Sequence, residues 1–151
     1  MDQIVADPAG ETLDAFGVKL GEMGRLWRTQ MHRRLKSVGL GYMQWSALRY
    51  LAQVGDGCVQ KDLAVALGIE GPTMVGVLDR LVAQDLVKRR EAQHDRRFKT
   101  VHLTPAAHDL LDRAETELRD LRKDMLRDVP EADIKTCIRV FEAMAEQAEA
   151  L

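Results

Sequence analysis

The chain has 151 residues, 46% of them apolar and 30% charged, with a formal net charge of −2. A packed core and a soluble surface are both available, enough for one domain or one domain with dimerisation arms. No apolar run approaches the roughly 18–20 residues that span a bilayer. The acidic stretch Met1 to Glu11 lacks the basic and apolar regions of a secretory signal, so the expected compartment is the cytoplasm.

Met1 to Gly10 reads as a frayed tail, and residues 1–12 as a flexible segment. From Leu13 apolar residues recur at helical spacing through Phe16, Leu20, Met23, Trp27, Met31 and Leu35, predicting one helix that ends near Val38-Gly39. It carries Gly17, Gly21 and Gly24, which either let another helix approach or are merely tolerated. A second helix is expected over Tyr42 to Val54, with Trp45, Leu48 and Leu51 inward, stopping at Gly55-Asp56-Gly57. A third, Gln60 to Leu67, buries Leu63, Ala64 and Leu67, and Gly68-Ile69 turns the chain. The fourth starts at Gly71-Pro72, where proline suits the first turn. It buries Met74, Val77, Leu78 and Leu81 and turns Thr73, Gly76 and Arg80 outward.

Two alternating stretches, Leu86 to Glu91 and Lys99 to Leu103, then flank a tip carrying Asp95, Arg96 and Arg97. This is a β-hairpin pattern. Lys88 to Lys99 holds the cations Lys88, Arg89, Arg90, Arg96, Arg97 and Lys99 against only Glu91 and Asp95. From Thr104 onward the balance reverses. Local charge decides phosphate contact, because distant acids are screened over about 8 Å at physiological salt. Thr104-Pro105 opens a long helix through Leu110, Leu111, Ala114, Leu118, Leu121 and Met125. Val129-Pro130 interrupts it, and a last helix carries Ile134, Ile138, Phe141, Ala145 and Ala148.

Helix, turn, helix and basic hairpin make a winged helix-turn-helix, in which one helix fits a major groove and the hairpin reaches a neighbouring minor groove. The expected fold is therefore mainly α with a small β-hairpin wing (α+β). Residues 13–38 would form an N-terminal dimerisation and ligand-pocket helix, 39–103 the DNA-binding lobe, and 104–151 C-terminal dimerisation helices. The terminal helices present more apolar surface than the lobe can cover, which points to a homodimer reading two half-sites one DNA turn apart.

The chain resembles the MarR family of bacterial transcriptional regulators, and within it the SlyA-like branch. Asp95-Arg96-Arg97, Lys99 and Leu103-Thr104-Pro105 match that family's D-R-R-x-K-x-x-x-L-T-P wing signature. Leu63-Ala64, Leu67-Gly68-Ile69-Glu70, Pro72-Thr73 and Leu78-Asp79-Arg80-Leu81 resemble its helix-turn-helix, and Trp27-Arg28 and Trp45 its SlyA-like members. Gly76 departs from the polar or basic residue many relatives carry. Ala107 replaces a frequent glycine.

The resemblance implies double-stranded promoter DNA as partner, a homodimer, and repression relieved by a small effector. Thr73 would face base edges and Pro72 a thymine methyl, with capping and helix initiation as their alternative roles. Arg80 and Lys61 would meet phosphate or simply lie in solvent. Arg97 would enter the minor groove, held by a bidentate contact to Asp95, while Arg96 and Lys99 meet the backbone. Gly76 sits among these DNA-facing positions. Arg25, Arg28 and His32 form one stripe beside Trp27 and Met31. With Trp45, they would border a pocket for a phenolic or aromatic carboxylate or its thioester. The alternative is a core pair of indoles with interface ion pairs.

His32, His94, His102 and His108 form no spaced metal-ligand set, and neither a cofactor nor a metal is expected. Cys58 and Cys137 are too few and isolated for a disulfide framework. Cys58 lies in the turn before the third helix, unlike the first-helix cysteine of peroxide-sensing relatives, and an idle or buried thiol is expected of both. No nucleophile–base pair or phosphate loop is visible, so the chain is not expected to be an enzyme. The rival readings are a thiol-redox regulator and a winged-helix module that binds protein without DNA.

Overall fold

The computed structural model describes residues 8–55 and 57–151. Helix α1 runs from Pro8 to Ser37. It starts five residues before the apolar period predicts, because Pro8 suits a first turn and Glu11 favours the positive helix end there. Residues 8–12 are thus helical rather than tail; residues 1–7 lie outside the described part. Val38 to Leu40 end the helix in a Schellman motif: Leu40 N donates to Leu35 O at 3.0 Å and Gly39 N to Lys36 O at 3.1 Å. Gly39 takes the required left-handed conformation at φ +81°. The motif buries Leu35 and Leu40 together.

Helix α2 spans Tyr42–Val54, as the sequence predicts. Its start is fixed by Gly41 N donating to Gln44 Oε1 at 2.8 Å, and Trp45, Leu48 and Leu51 are buried. Strand β1, Cys58–Val59, follows. The sequence predicts a turn here, because two residues are too few to show alternation. Helix α3, Gln60–Ala66, buries Leu63 and Ala64 but leaves Leu67 half-buried. Gly68, at φ +63°, turns the chain into α4, Gly71–Ala83. Met74, Val77, Leu78 and Leu81 of α4 are all buried.

Strands β2 (Val87–Glu91) and β3 (Lys99–Leu103) pair antiparallel, from Val87 opposite Leu103 to Glu91 opposite Lys99. The wing is more than a hairpin. Strand β1 adds to the other edge of β3, Cys58 opposite Val101 and Val59 opposite Thr100, giving the order β1-β3-β2. Thr104 then ties three elements. Its N–H bonds Leu86 O at 3.1 Å, its hydroxyl donates to Asp85 O at 2.7 Å, and Ala107 N caps onto the same hydroxyl at 3.4 Å. Pro105 thereby opens α5, Pro105–Met125. Ala107 is fully buried.

Two compact units divide at Arg119/Asp120. In the second, the chain breaks at Pro130 and α6 covers Glu131–Glu149. Every residue of α6 except Ile134 is exposed. No helix among the described residues is long and apolar enough to cross a membrane.

Candidate nucleic-acid interface

Burial of one face of α4 decides what its other face offers. With Met74 and Leu78 at 0% exposure, the helical period sends Pro72, Thr73 and Arg80 into solvent and leaves Gly76 half-buried. Among the described residues, a Cβ at Gly76 would meet nothing beyond the helix's own backbone within 4 Å. The helix therefore shows a shallow surface between its first turn and Arg80. Lys61, in the first turn of α3, is also exposed.

At the wing tip Asp95 holds Arg97 twice over. Its Oδ1 accepts the Arg97 backbone N–H at 3.0 Å, closing a turn. The guanidinium then donates from Nε at 3.0 and 3.1 Å and from Nη2 to Oδ2 at 2.7 Å. This two-pronged grip, with the backbone bond behind it, holds the Asp95 carboxyl below the usual carboxylate range. The Arg97 side chain is nonetheless 87% exposed. Holding a solvent-facing arginine in one direction is what the fork does; as a surface pair it adds little to stability. Arg96 is exposed too and lies 3.9 Å from Glu91, which also meets Lys99 at 3.3 Å. Both remain available to phosphate.

The base of the wing holds residues that sequence reasoning missed. Arg89, central in β2, donates to Asp79 Oδ1 at 2.6 Å and to the carbonyl of Val75 at 3.1 Å, both on α4. Ten positions separate Arg89 from Asp79, and no local pattern marks such a pair. Lys61, Arg97 and Lys99, from α3 and the wing, border one open cavity of about 590 Å³ with Met74, Val75 and Phe98. Three of the DNA-facing candidates thus surround one concavity beside α4.

The other predicted pocket is only partly assembled. Met31 is buried and Trp27 half-buried, while Arg25, Arg28 and His32 are exposed on α1. The Arg25 guanidinium lies back over Gly21. The Trp45 ring, 5% exposed, meets Tyr42 at 5.8 Å and carries Arg49 over its face at 5.3 Å. The cation on this indole is therefore Arg49. Its i+4 spacing from Trp45 was a readable signal.

The Cys58 thiol is pushed up by burial and by the Asp62 carboxylate. It stays protonated at neutral pH, the unreactive form. Cys137 is exposed on α6. Among the described residues no three His, Cys, Asp or Glu side chains gather as a metal site.

An exposed helix face beside a basic, arginine-tipped wing defines a winged-helix DNA-binding protein. A model described as "MarR family" matches residues 38–97. The transcriptional regulator PA3341 is 35% identical, with 90% of this chain and 99% of that one aligned at a TM-score of 0.76. The transcriptional repressor CouR, solved bound to a 23-mer DNA duplex, is 25% identical over 93% of this chain and 99% of its own, TM-score 0.77. CouR from Rhodococcus jostii RHA1 bound to p-coumaroyl-CoA aligns over 86% and 91% at 21% identity, TM-score 0.73. The chain belongs to the MarR family of transcriptional regulators.

Proposed function

We propose that the protein is a homodimeric repressor of the SlyA-like branch, acting in the cytoplasm. It binds a pseudo-palindromic promoter site and leaves it when a small aromatic anion binds. The observation that carries this reading is the exposed Arg97, aimed by Asp95 and set beside the open face of α4. Thr73 and Pro72 read base edges across the shallow surface at Gly76, and Arg97 enters the adjoining minor groove. Lys61, Arg80, Arg96 and Lys99 meet phosphates, supplying affinity that falls with salt.

Dimerisation is supported by bare apolar side chains on both terminal helices: Leu13, Phe16 and Met23 on α1, and Ile138, Phe141 and Met144 on α6. Residues 13–38 and 104–151 serve this assembly, and residues 39–103 serve DNA. The effector is a phenolic or aromatic carboxylate or its thioester, seated by Trp27, Met31, His32 and Trp45 with Arg25 or Arg28 on the anion. CouR's complex with an aromatic acyl thioester gives this chemistry a precedent. Release requires that the effector prefer a DNA-incompetent state.

Selection of duplexes from a randomised pool tests the first half. Salt-sensitive recovery of an inverted repeat is expected, and a salt-insensitive failure to bind would favour a protein-binding wing instead. Tryptophan fluorescence titrated with salicylate and hydroxycinnamate tests the second. Arg28→Ala should weaken the quench while leaving DNA affinity intact; if Arg25→Ala and Arg28→Ala both leave it unchanged, the effector sits elsewhere. The thiol-redox reading is disfavoured by the protonated Cys58. A Cys58→Ser/Cys137→Ser protein should still respond to effector.

A further inference from the structure

Two arginines of the wing are held by aspartates, but only one faces solvent. The Arg97 side chain is 87% exposed and that of Arg89 is 27% exposed. Arg89 spends its charge inward. One nitrogen, Nη1, grips the Asp79 carboxylate at 2.6 Å and the other, Nη2, the Val75 carbonyl at 3.1 Å. Val75 and Asp79 are four residues apart, so the fork spans one turn of α4. Its Nε is buried without a hydrogen-bond partner among the described residues. Burying a donor unpaired costs stability, so strength alone is a poor account of the arrangement. A planar fork with fixed spacing fits two acceptors in one way, which a lysine cannot reproduce.

We propose that Arg89 is a positioning residue for DNA binding, clamping the wing at one angle to α4 so that Arg97 and Thr73 engage the same stretch of duplex. This rests on the DNA-binding reading above. Arg89 lies opposite Val101, which lies opposite Cys58, so one row crosses all three strands. On that row β1 secures one edge of the sheet and Arg89 the other. The next row, Arg90 opposite Thr100, is still flanked by Val59 of β1, and beyond it about two residue pairs project, roughly 7 Å at ~3.3 Å per residue. A twist of about 20° there carries the tip some 2–3 Å, over a third of the ~6 Å width of a minor groove. An unclamped wing would have to be ordered at the moment of binding.

The test uses full-length protein and a 30-base-pair duplex recovered by wild-type selection from a randomised pool. Affinity is read by fluorescence anisotropy across salt concentrations. Arg89→Ala should lose about tenfold to a hundredfold, the range of one good wing contact. Asp79→Asn, which keeps shape and removes charge, should lose affinity in the same direction and serves if Arg89→Ala folds poorly. Arg97→Ala should cost much less in the Arg89→Ala background than in wild type, because a misplaced tip has little left to lose. The salt slope of Arg89→Ala should fall as it does for Arg97→Ala, although Arg89 faces no phosphate. Arg89→Lys should not restore binding.

Wild-type affinity in Arg89→Lys would reduce the residue to a charge and overturn the proposal. So would strict additivity with Arg97→Ala, the mark of a merely structural role. A wild-type protein that retains no duplex would remove the DNA reading and this inference with it. Wild-type binding with Arg89→Ala and Asp79→Asn both equally tight removes the clamp alone.

Discussion

Helix α4 and helix α6 both carry apolar residues at helical spacing, yet their side chains end in opposite surroundings. On α4, Met74, Val77, Leu78 and Leu81 are at most 5% exposed. On α6, Ile138, Phe141 and Met144 are 39–49% exposed. Periodicity states that a face wants cover; it does not state who supplies it. The winged lobe finishes its own core, so its outward residues are free for the DNA contacts proposed above. The apolar face of the terminal helix is left half open, and a second copy completes it in the reading proposed above.

The largest expected effect separates these two helices by stability. Leu78→Ala should destabilise by about 2–5 kcal/mol, since a fully buried leucine leaves a cavity as well as losing its transfer energy. Phe141→Glu, on a face half open to water, should leave the lobe's fold intact but convert dimer to monomer in light scattering. A Phe141→Glu protein that stays dimeric at micromolar concentration would place the assembly surface elsewhere. Deleting residues 130–151 should likewise give monomers or aggregates.

The next effect lies at the wing tip. Arg97→Ala should weaken operator binding by about tenfold to a hundredfold with the dimer intact. Asp95→Ala should lose part of that, because a free arginine must be ordered on binding. Strictly additive losses in the double mutant would remove the orienting role. The pair also has a pH signature. The Asp95 carboxyl is held down by the Arg97 guanidinium, so its contribution is complete above the ordinary carboxylate value and disappears as acid titrates the folded group. The Asp95 side-chain carboxyl resonance should keep the shift of an ionised, paired carboxylate through the ordinary carboxylate range and change only at more acid pH, and Arg97→Ala should bring that change back to the ordinary range.

How much was legible follows from the same distinction between near and far. Asp95 and Arg97 are two residues apart in one turn, so their pairing could be read from the chain. The bounds of α2 were legible because glycine flanks it, and those of the hairpin because alternation runs for five residues on each side. Strand β1 was not, since two residues carry no period. Neither was the Arg89–Asp79 clamp, which exists only once a strand packs on a helix. Arg49 over Trp45 was missed for a lesser reason. Its i+4 spacing is visible in the sequence, but the same spacing fits a cation that extends into solvent, and only the packed indole face decides between the two.

The smallest effect concerns Gly76, on the face of α4 proposed above to read DNA. Gly76 lies inside α4, where glycine weakens a helix by roughly 0.5–1 kcal/mol relative to alanine. Among the described residues, nothing outside the helix's own backbone lies within 4 Å of where a Cβ would stand. Gly76→Ala should therefore raise the melting temperature, by about 1–4 °C for a chain of this size. If the gap exists so that helix backbone can approach base edges, the added methyl should cost severalfold in operator affinity while the protein becomes more stable. Those opposite signs are the expected outcome, because a merely tolerated glycine would gain stability at no cost in binding. Unchanged affinity would assign base reading to Pro72 and Thr73 alone and leave Gly76 as a gap in the groove-facing surface.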